Sequence, residues 1–156
     1  MLKLIEALDA KRAFLDCSIS ESPVLIYILE KKLLAASSIL PTKKVLRTVV
    51  PLITAEDFPV NALAIKMLTQ VTQPENSQFL QDYITVIMPG LLQCYENQDS
   101  SVRKSAVFCM VALHKVLGED VLAPYLNTLN GAKLKLLHLY IKRSSQNQSP
   151  TSPKNN

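Results

Sequence analysis

The sequence predicts an all-α fold built from stacked helical hairpins, and three observations carry that prediction. The first is composition: among 156 residues only 3 are glycine, aromatic residues make up 6% and apolar residues 48%. Long helices suit such a chain better than sheets. The second is an internal repeat. The segment Asp57-Phe58-Pro59-Val60-Asn61-Ala62-Leu63-Ala64-Ile65-Lys66-Met67 returns 42 residues later as Asp99-Ser100-Ser101-Val102-Arg103-Lys104-Ser105-Ala106-Val107-Phe108-Cys109. The third is that an apolar stretch with one proline precedes each copy, around Pro51 and Pro89, and a weaker copy follows at Pro124 with Asn130 in place of the Asp. A period of about 40–47 residues holding two helices is the mark of a HEAT or armadillo solenoid. The expected fold is a HEAT-repeat α-solenoid of roughly three to four hairpins over 1–143, with a disordered polar tail over 144–156. Such arrays present surfaces and seldom carry chemistry.

Element by element, residues 1–16 carry an apolar stripe of Leu4, Ile5, Leu8, Ala13 and Leu15 that predicts a helix. Nothing caps its start, and its apolar side chains are expected to face water if a preceding repeat is missing. Ser22 as N-cap and Pro23 in the first turn open a second helix to about Ile39. Leu25, Ile28, Leu29, Leu33 and Ala36 are expected to face inward. Pro41 and Thr42 start the next, with Val45, Leu46, Val49, Leu52 and Ile53 inside and Pro51 bending it. Asp57 is expected to cap the helix carrying Val60, Leu63, Ala64, Met67, Leu68 and Val71. After a loop at Pro74 to Ser77 comes a helix lined by Phe79, Leu80, Tyr83, Ile84, Ile87, Leu91 and Leu92. The helix from Ser101 to Leu117, apolar nearly all round, reads as the buried centre of the array and ends at Gly118. A short helix over Val121 to Leu129 and a last one over Ala132 to Arg143 complete the pattern.

Function classes narrow quickly. Cys17, Cys94 and Cys109 are odd in number and scattered, with no CxxC, so neither a disulfide framework nor a zinc site is indicated. They read as reduced, buried thiols of a cytosolic protein. The opening Met1-Leu2-Lys3-Leu4-Ile5-Glu6 lacks the apolar core of a signal peptide. The longest apolar run, Ala106 to Leu113, is too short to span a bilayer, so no membrane insertion is expected. His114 and His138 are isolated, and there is no nucleophile elbow, P-loop or GxGxxG. The carboxylates stand singly or as solvated pairs such as Glu56-Asp57 and Glu119-Asp120. No enzyme, cofactor or metal is expected.

The net charge of +4 is mild and points only weakly to acidic partners. Asp57, Asp99 and Arg103 read as a structural ladder between repeats: the Asp caps a helix, and the Arg one turn later reaches a carboxylate of the neighbouring repeat. Lys104 has no structural duty and lies near an edge loop, where solenoids bind. Lys133, Lys135, Lys142 and Arg143 form a basic group on the last helix. It is either a solvated face beside a helix C-terminus or a patch for an acidic partner segment. It lacks the interleaved aromatics and charge density of a nucleic-acid interface. Ser149-Pro150 and Ser152-Pro153 suit proline-directed phosphorylation, which would set negative charge against that basic helix.

Three stretches together resemble one family. Lys44-Val45-Leu46 through Pro51-Leu52-Ile53 leads to Asp57-Phe58-Pro59-Val60. Ile87-Met88-Pro89-Gly90-Leu91-Leu92-Gln93 leads to Ser100-Ser101-Val102-Arg103-Lys104. Val116-Leu117-Gly118-Glu119-Asp120 is followed by Lys133-Leu134-Lys135-Leu136-Leu137-His138-Leu139-Tyr140-Ile141-Lys142-Arg143. From about Pro41 to Arg143 the chain resembles the extreme C-terminal domain of the CLASP proteins, the cytoplasmic-linker-associated microtubule regulators. The resemblance implies a recruitment module that binds cytoplasmic linker proteins and kinetochore, Golgi or cortical adaptors. It also implies location at microtubule plus ends, spindle, kinetochore and Golgi in the cytoplasm. The full array of the family has about six repeats, so this chain is expected to be a fragment or short form. Lys104, Lys133, Lys135, Lys142 and Arg143 are the expected partner contacts. Direct tubulin binding and a generic HEAT scaffold are the alternatives. TOG arrays that grip tubulin typically carry a Trp on the first repeat's loop, and this chain has none.

Overall fold

The computed structural model describes residues 23–55 and 57–146. The expected helix over 1–16, Cys17, the Ser22 cap, the side chain of Leu25, Glu56, and Ser149 and Ser152 lie outside the described residues. Seven α-helices follow one another, with no strand among the described residues: α1 Pro23–Ile39, α2 Thr42–Ala55, α3 Val60–Val71, α4 Ser77–Tyr95, α5 Ser100–Leu117, α6 Glu119–Leu126 and α7 Gly131–Gln146. A 3₁₀ turn, Pro74–Asn76, joins α3 to α4.

The helices pair as hairpins and stack as two layers. α2 packs on α3 and α4 on α5, while α2 also touches α4. On the other side α1, α3, α5 and α7 lie in succession, each against the next. Each layer is needed because a single amphipathic helix cannot bury its apolar stripe alone. The core consists of Leu46 and Ile53 of α2, Ile65 and Leu68 of α3, Leu80, Ile87 and Leu91 of α4, and Met110 and Leu113 of α5. Leu122 and Leu137 extend it under α6 and α7. The expected central position of α5 is observed: it contacts α3, α4, α6 and α7.

Pro51, Pro89 and Pro124 all lie within helices and all sit on the solvent side. The backbone carbonyls each proline leaves without a partner, those of Arg47, Thr85 and Asp120, belong to exposed residues and can be hydrated. Gly90 allows α4 to approach α2 closely. A Cβ there would lie 3.3 Å from Thr54 Cγ2 and 3.4 Å from Ile53 Cγ2. The Cys94 thiol donates to the Ile53 carbonyl at 3.3 Å across the same contact. Gly118 ends α5 with φ +85°, a left-handed conformation that favours glycine, and its N–H donates to the His114 carbonyl at 2.9 Å.

Several expectations need correction. Asp99 caps α5 with its side chain, accepting from the N–H groups of Ser101 at 2.7 Å and Val102 at 3.3 Å. Asp57 does not cap α3 in this way. Only its carbonyl serves the helix start, accepting from Val60 and Asn61. The residue matching Ser101 is Pro59, which has no N–H to donate. Ile28 of α1 is 45% exposed, because α1 meets only α3 among the well-packed described neighbours and its Val24–Tyr27–Ile28 side points away. Phe79 and Phe108 are likewise exposed, so α5 is not apolar all round: Ser101, Lys104 and Phe108 share an open face. The last helix runs to Gln146 rather than Arg143. The Ser144 and Ser145 hydroxyls donate back to the Ile141 carbonyl, keeping polar residues in helical register.

Candidate functional site

The turn between α4 and α5 shows what the repeat motif builds. Asn97 Oδ1 accepts from the Asp99 N–H at 2.8 Å, while Arg103 Nη1 donates to the carbonyls of Asn97 at 2.8 Å and Gln98 at 2.6 Å. Arg103 therefore braces its own turn and, among the described residues, meets no carboxylate of a neighbouring repeat. In the third copy Asn130 does the work of the Asp. Its side-chain oxygen accepts from the Lys133 N–H at 3.0 Å and starts α7.

The basic residues separate into three environments. Lys133 is drawn inward: its ammonium pairs with Glu96, lies 5.0 Å from the Tyr95 ring centroid, and approaches the Tyr95 carbonyl at 3.4 Å. The Tyr95 hydroxyl in turn donates to the Lys133 carbonyl at 3.4 Å. Burial, with Tyr140 and Glu96 adding to it, pushes the Tyr95 hydroxyl above its ordinary titration range. Lys133 is thus a clamp between α7 and the preceding turn. Lys135, Lys142 and Arg143 are exposed and make no ion pair among the described residues. Lys135 and Lys142, seven residues apart, fall on one face of α7, and Leu136 and Leu139 on the same exposed side are 44% and 43% exposed. No Asp or Glu occurs anywhere in α7.

Lys104 lies apart from that face, on α5. It belongs to an open groove of about 480 Å³ across α1, α3 and α5. The ammonium stands 5.9 Å from the Phe108 ring centroid. Glu30 of α1 and Lys66 of α3 pair at 2.7 Å in the same groove. Phe108 also meets Tyr140 of α7 edge to face, with ring centroids 5.9 Å apart. Sequence reading missed Phe108, Glu30 and Lys66. The signal was present as helical spacing: Ser101, Lys104, Ser105 and Phe108 recur at i, i+3, i+4 and i+7, a stripe that reads equally well as core.

The two cysteines among the described residues are sealed. Cys94 and Cys109 are buried, and burial pushes both thiols up, Cys109 to about 12 despite a hydrogen bond with Thr69. Among the described residues no group of three His, Cys, Asp or Glu side chains is placed to hold a metal ion, and no helix is long and apolar enough to cross a membrane.

Comparison with known proteins places this surface in context. CLIP-associating protein 1 of Xenopus tropicalis is 46% identical over 117 residues, covering 75% of this chain and 8% of that protein. CLIP-associating protein of Drosophila melanogaster is 38% identical over 104 residues, 67% of this chain and 7% of that protein. CLIP-associated protein of Arabidopsis thaliana is 33% identical over 101 residues, with 65% and 7% covered. The chain spans 8% or less of the length of these curated relatives. No protein-family profile matches the chain.

Proposed function

Because the chain belongs to the CLIP-associating protein family, CLASP, we propose that it is a non-enzymatic protein-binding module of a microtubule regulator. It recruits that regulator by capturing an acidic segment of a CLIP protein. One observation carries this reading: the outer face of α7 presents Lys135, Lys142 and Arg143 without a partnering carboxylate among the described residues, around the exposed Leu136 and Leu139. Unpaired cations around an apolar stripe attract an acidic amphipathic segment, and they act chiefly on association rate and salt dependence. The relatives, known as CLIP-associating proteins, point to that partner class. Kinetochore, Golgi and cortical adaptors are further partners on this reading, reached through the same face. Plus ends, spindle, kinetochore and Golgi would then be its locations.

Direct tubulin binding is the second reading, and the hairpin turns leave little free charge for it: Arg103 is held by its own turn, Asp99 by the α5 cap and Glu96 by Lys133. The test sets the purified chain against a CLIP protein and against free tubulin in parallel. CLIP binding that weakens with salt and with Lys135→Glu/Lys142→Glu is expected. Binding to tubulin alone would make the chain a tubulin-binding array. Binding to neither from a folded sample would overturn the recruitment reading.

A further inference from the structure

The groove over α1, α3 and α5 is separate from the α7 face and has its own chemistry. Its one carboxylate, Glu30, is already engaged by Lys66 at 2.7 Å. Lys104 is exposed, has the Phe108 ring beside it and makes no ion pair among the described residues, so their share of the groove carries one uncompensated positive charge. Phe108, 46% exposed, forms an apolar wall on one side, and Leu34 is half-buried in the lining. The lining also holds two exposed amides, Gln70 of α3 and Gln73 just past the end of that helix. Side-chain amides offer both donors and acceptors, the complement of an extended peptide backbone. The volume, about 480 Å³, is within the range that seats a small ligand or a few side chains of a peptide.

We infer that this groove is a second docking site, for an extended peptide segment that alternates acidic and apolar residues. A carboxylate of the segment meets Lys104. An apolar side chain rests on Phe108. The segment's backbone hydrogen-bonds to Gln70 and Gln73. Charge complementarity selects an acidic occupant over a basic one, since a basic segment would face Lys66 and Lys104 with Glu30 already taken. Lys104 and Phe108 stand one turn apart on α5, with the ammonium 5.9 Å from the ring centroid, so a single stretch carrying both acidic and apolar side chains can meet both. Phe108 also leans on Tyr140, which links the groove wall to the helix carrying the basic face, so one long partner could engage both sites.

The probe is a fluorescein-labelled decapeptide of alternating Glu and Leu, with its Lys-for-Glu counterpart as control, titrated against the full chain. The acidic peptide is expected to bind and the basic one not to. Lys104→Glu and Phe108→Ser should each weaken binding by about tenfold, while Lys135→Glu/Lys142→Glu leaves it within about twofold. Both groove side chains are exposed, and circular dichroism checks that each variant folds. Lys104→Gln, which removes charge without reversing it, should fall between wild type and Lys104→Glu. Peptide-induced NMR shifts should appear at the Leu34 methyl groups. Absence of saturable binding, or undiminished binding in both groove variants, would overturn the inference. Loss confined to the α7 variant would also overturn it, while leaving acidic-segment capture on α7 intact.

Discussion

Lys133→Glu separates a structural lysine from a binding one. In the wild type the Lys133 ammonium pairs with Glu96, and the two side chains are 26% and 61% exposed, so water screens the pair and it contributes only about 0.5 kcal/mol. The Tyr95 ring contact adds about 0.5–1 kcal/mol. A glutamate in the same place sets a carboxylate beside Glu96 and the Tyr95 carbonyl, costing a further ~0.5–1 kcal/mol. The sum is a destabilisation of about 2 kcal/mol, or a fall in Tm of roughly 4–8 °C for a chain of this size. Lys135→Glu, on the open face, should change stability by less than about 0.5 kcal/mol. The assay is urea denaturation of both single variants and of the swap Lys133→Glu/Glu96→Lys, which should recover about half of the loss. A neutral Lys133→Glu with unaltered melting, or a swap no better than the single variant, would refute the clamp. It would return Lys133 to the set of free partner contacts.

Three other outcomes are expected. Asp99→Ala should cost about 1 kcal/mol through loss of the α5 cap, whereas Asp57→Ala should stay within about 0.5 kcal/mol because its side chain caps nothing; paired denaturation curves check both. Gly90→Leu should destabilise by about 1–3 kcal/mol, read in the same way, since the added side chain enters the contact of α4 with Ile53 and Thr54. The Cys109 thiol ionises near 12 in the folded chain against an ordinary 9.0, so the unfolded chain loses its proton first as pH rises. Stability is untouched by this group below about pH 9 and declines above it, by about 1.4 kcal/mol per pH unit until the folded thiol titrates. Cys109→Ala lacks that decline, and the stability gap between it and wild type should narrow between about pH 8 and about pH 10.

The repeat spacing, the helices and much of the core were legible in the sequence because they rest on local rules. Helical periodicity picked out Leu46, Ile53, Leu68, Ile87 and Leu91, all of them buried. The 42-residue return of the Asp-led motif announced hairpins that stack, and Asn130 in the third copy performs the same capping. Even the failure of Asp57 as a cap was written locally, in the proline two residues on. Arg103 was legible as a structural residue but not in its target, since the turn carbonyls it meets are set by loop geometry. The fates of the lysines were not legible at all. Lys133 and Lys135 sit two residues apart on one helix, yet one turns to Glu96, 37 positions earlier, and the other faces solvent. Phe108 lies in an apolar run that periodicity assigns to the core, and only the spacing of α1, α3 and α5 leaves it as the wall of an open groove. Local propensity and period determine which segments become helices and which stripe they bury. Which cations stay free, and where two helices stand far enough apart to admit a partner, depends on contacts between residues distant in the chain, and those exist only once the layers have packed.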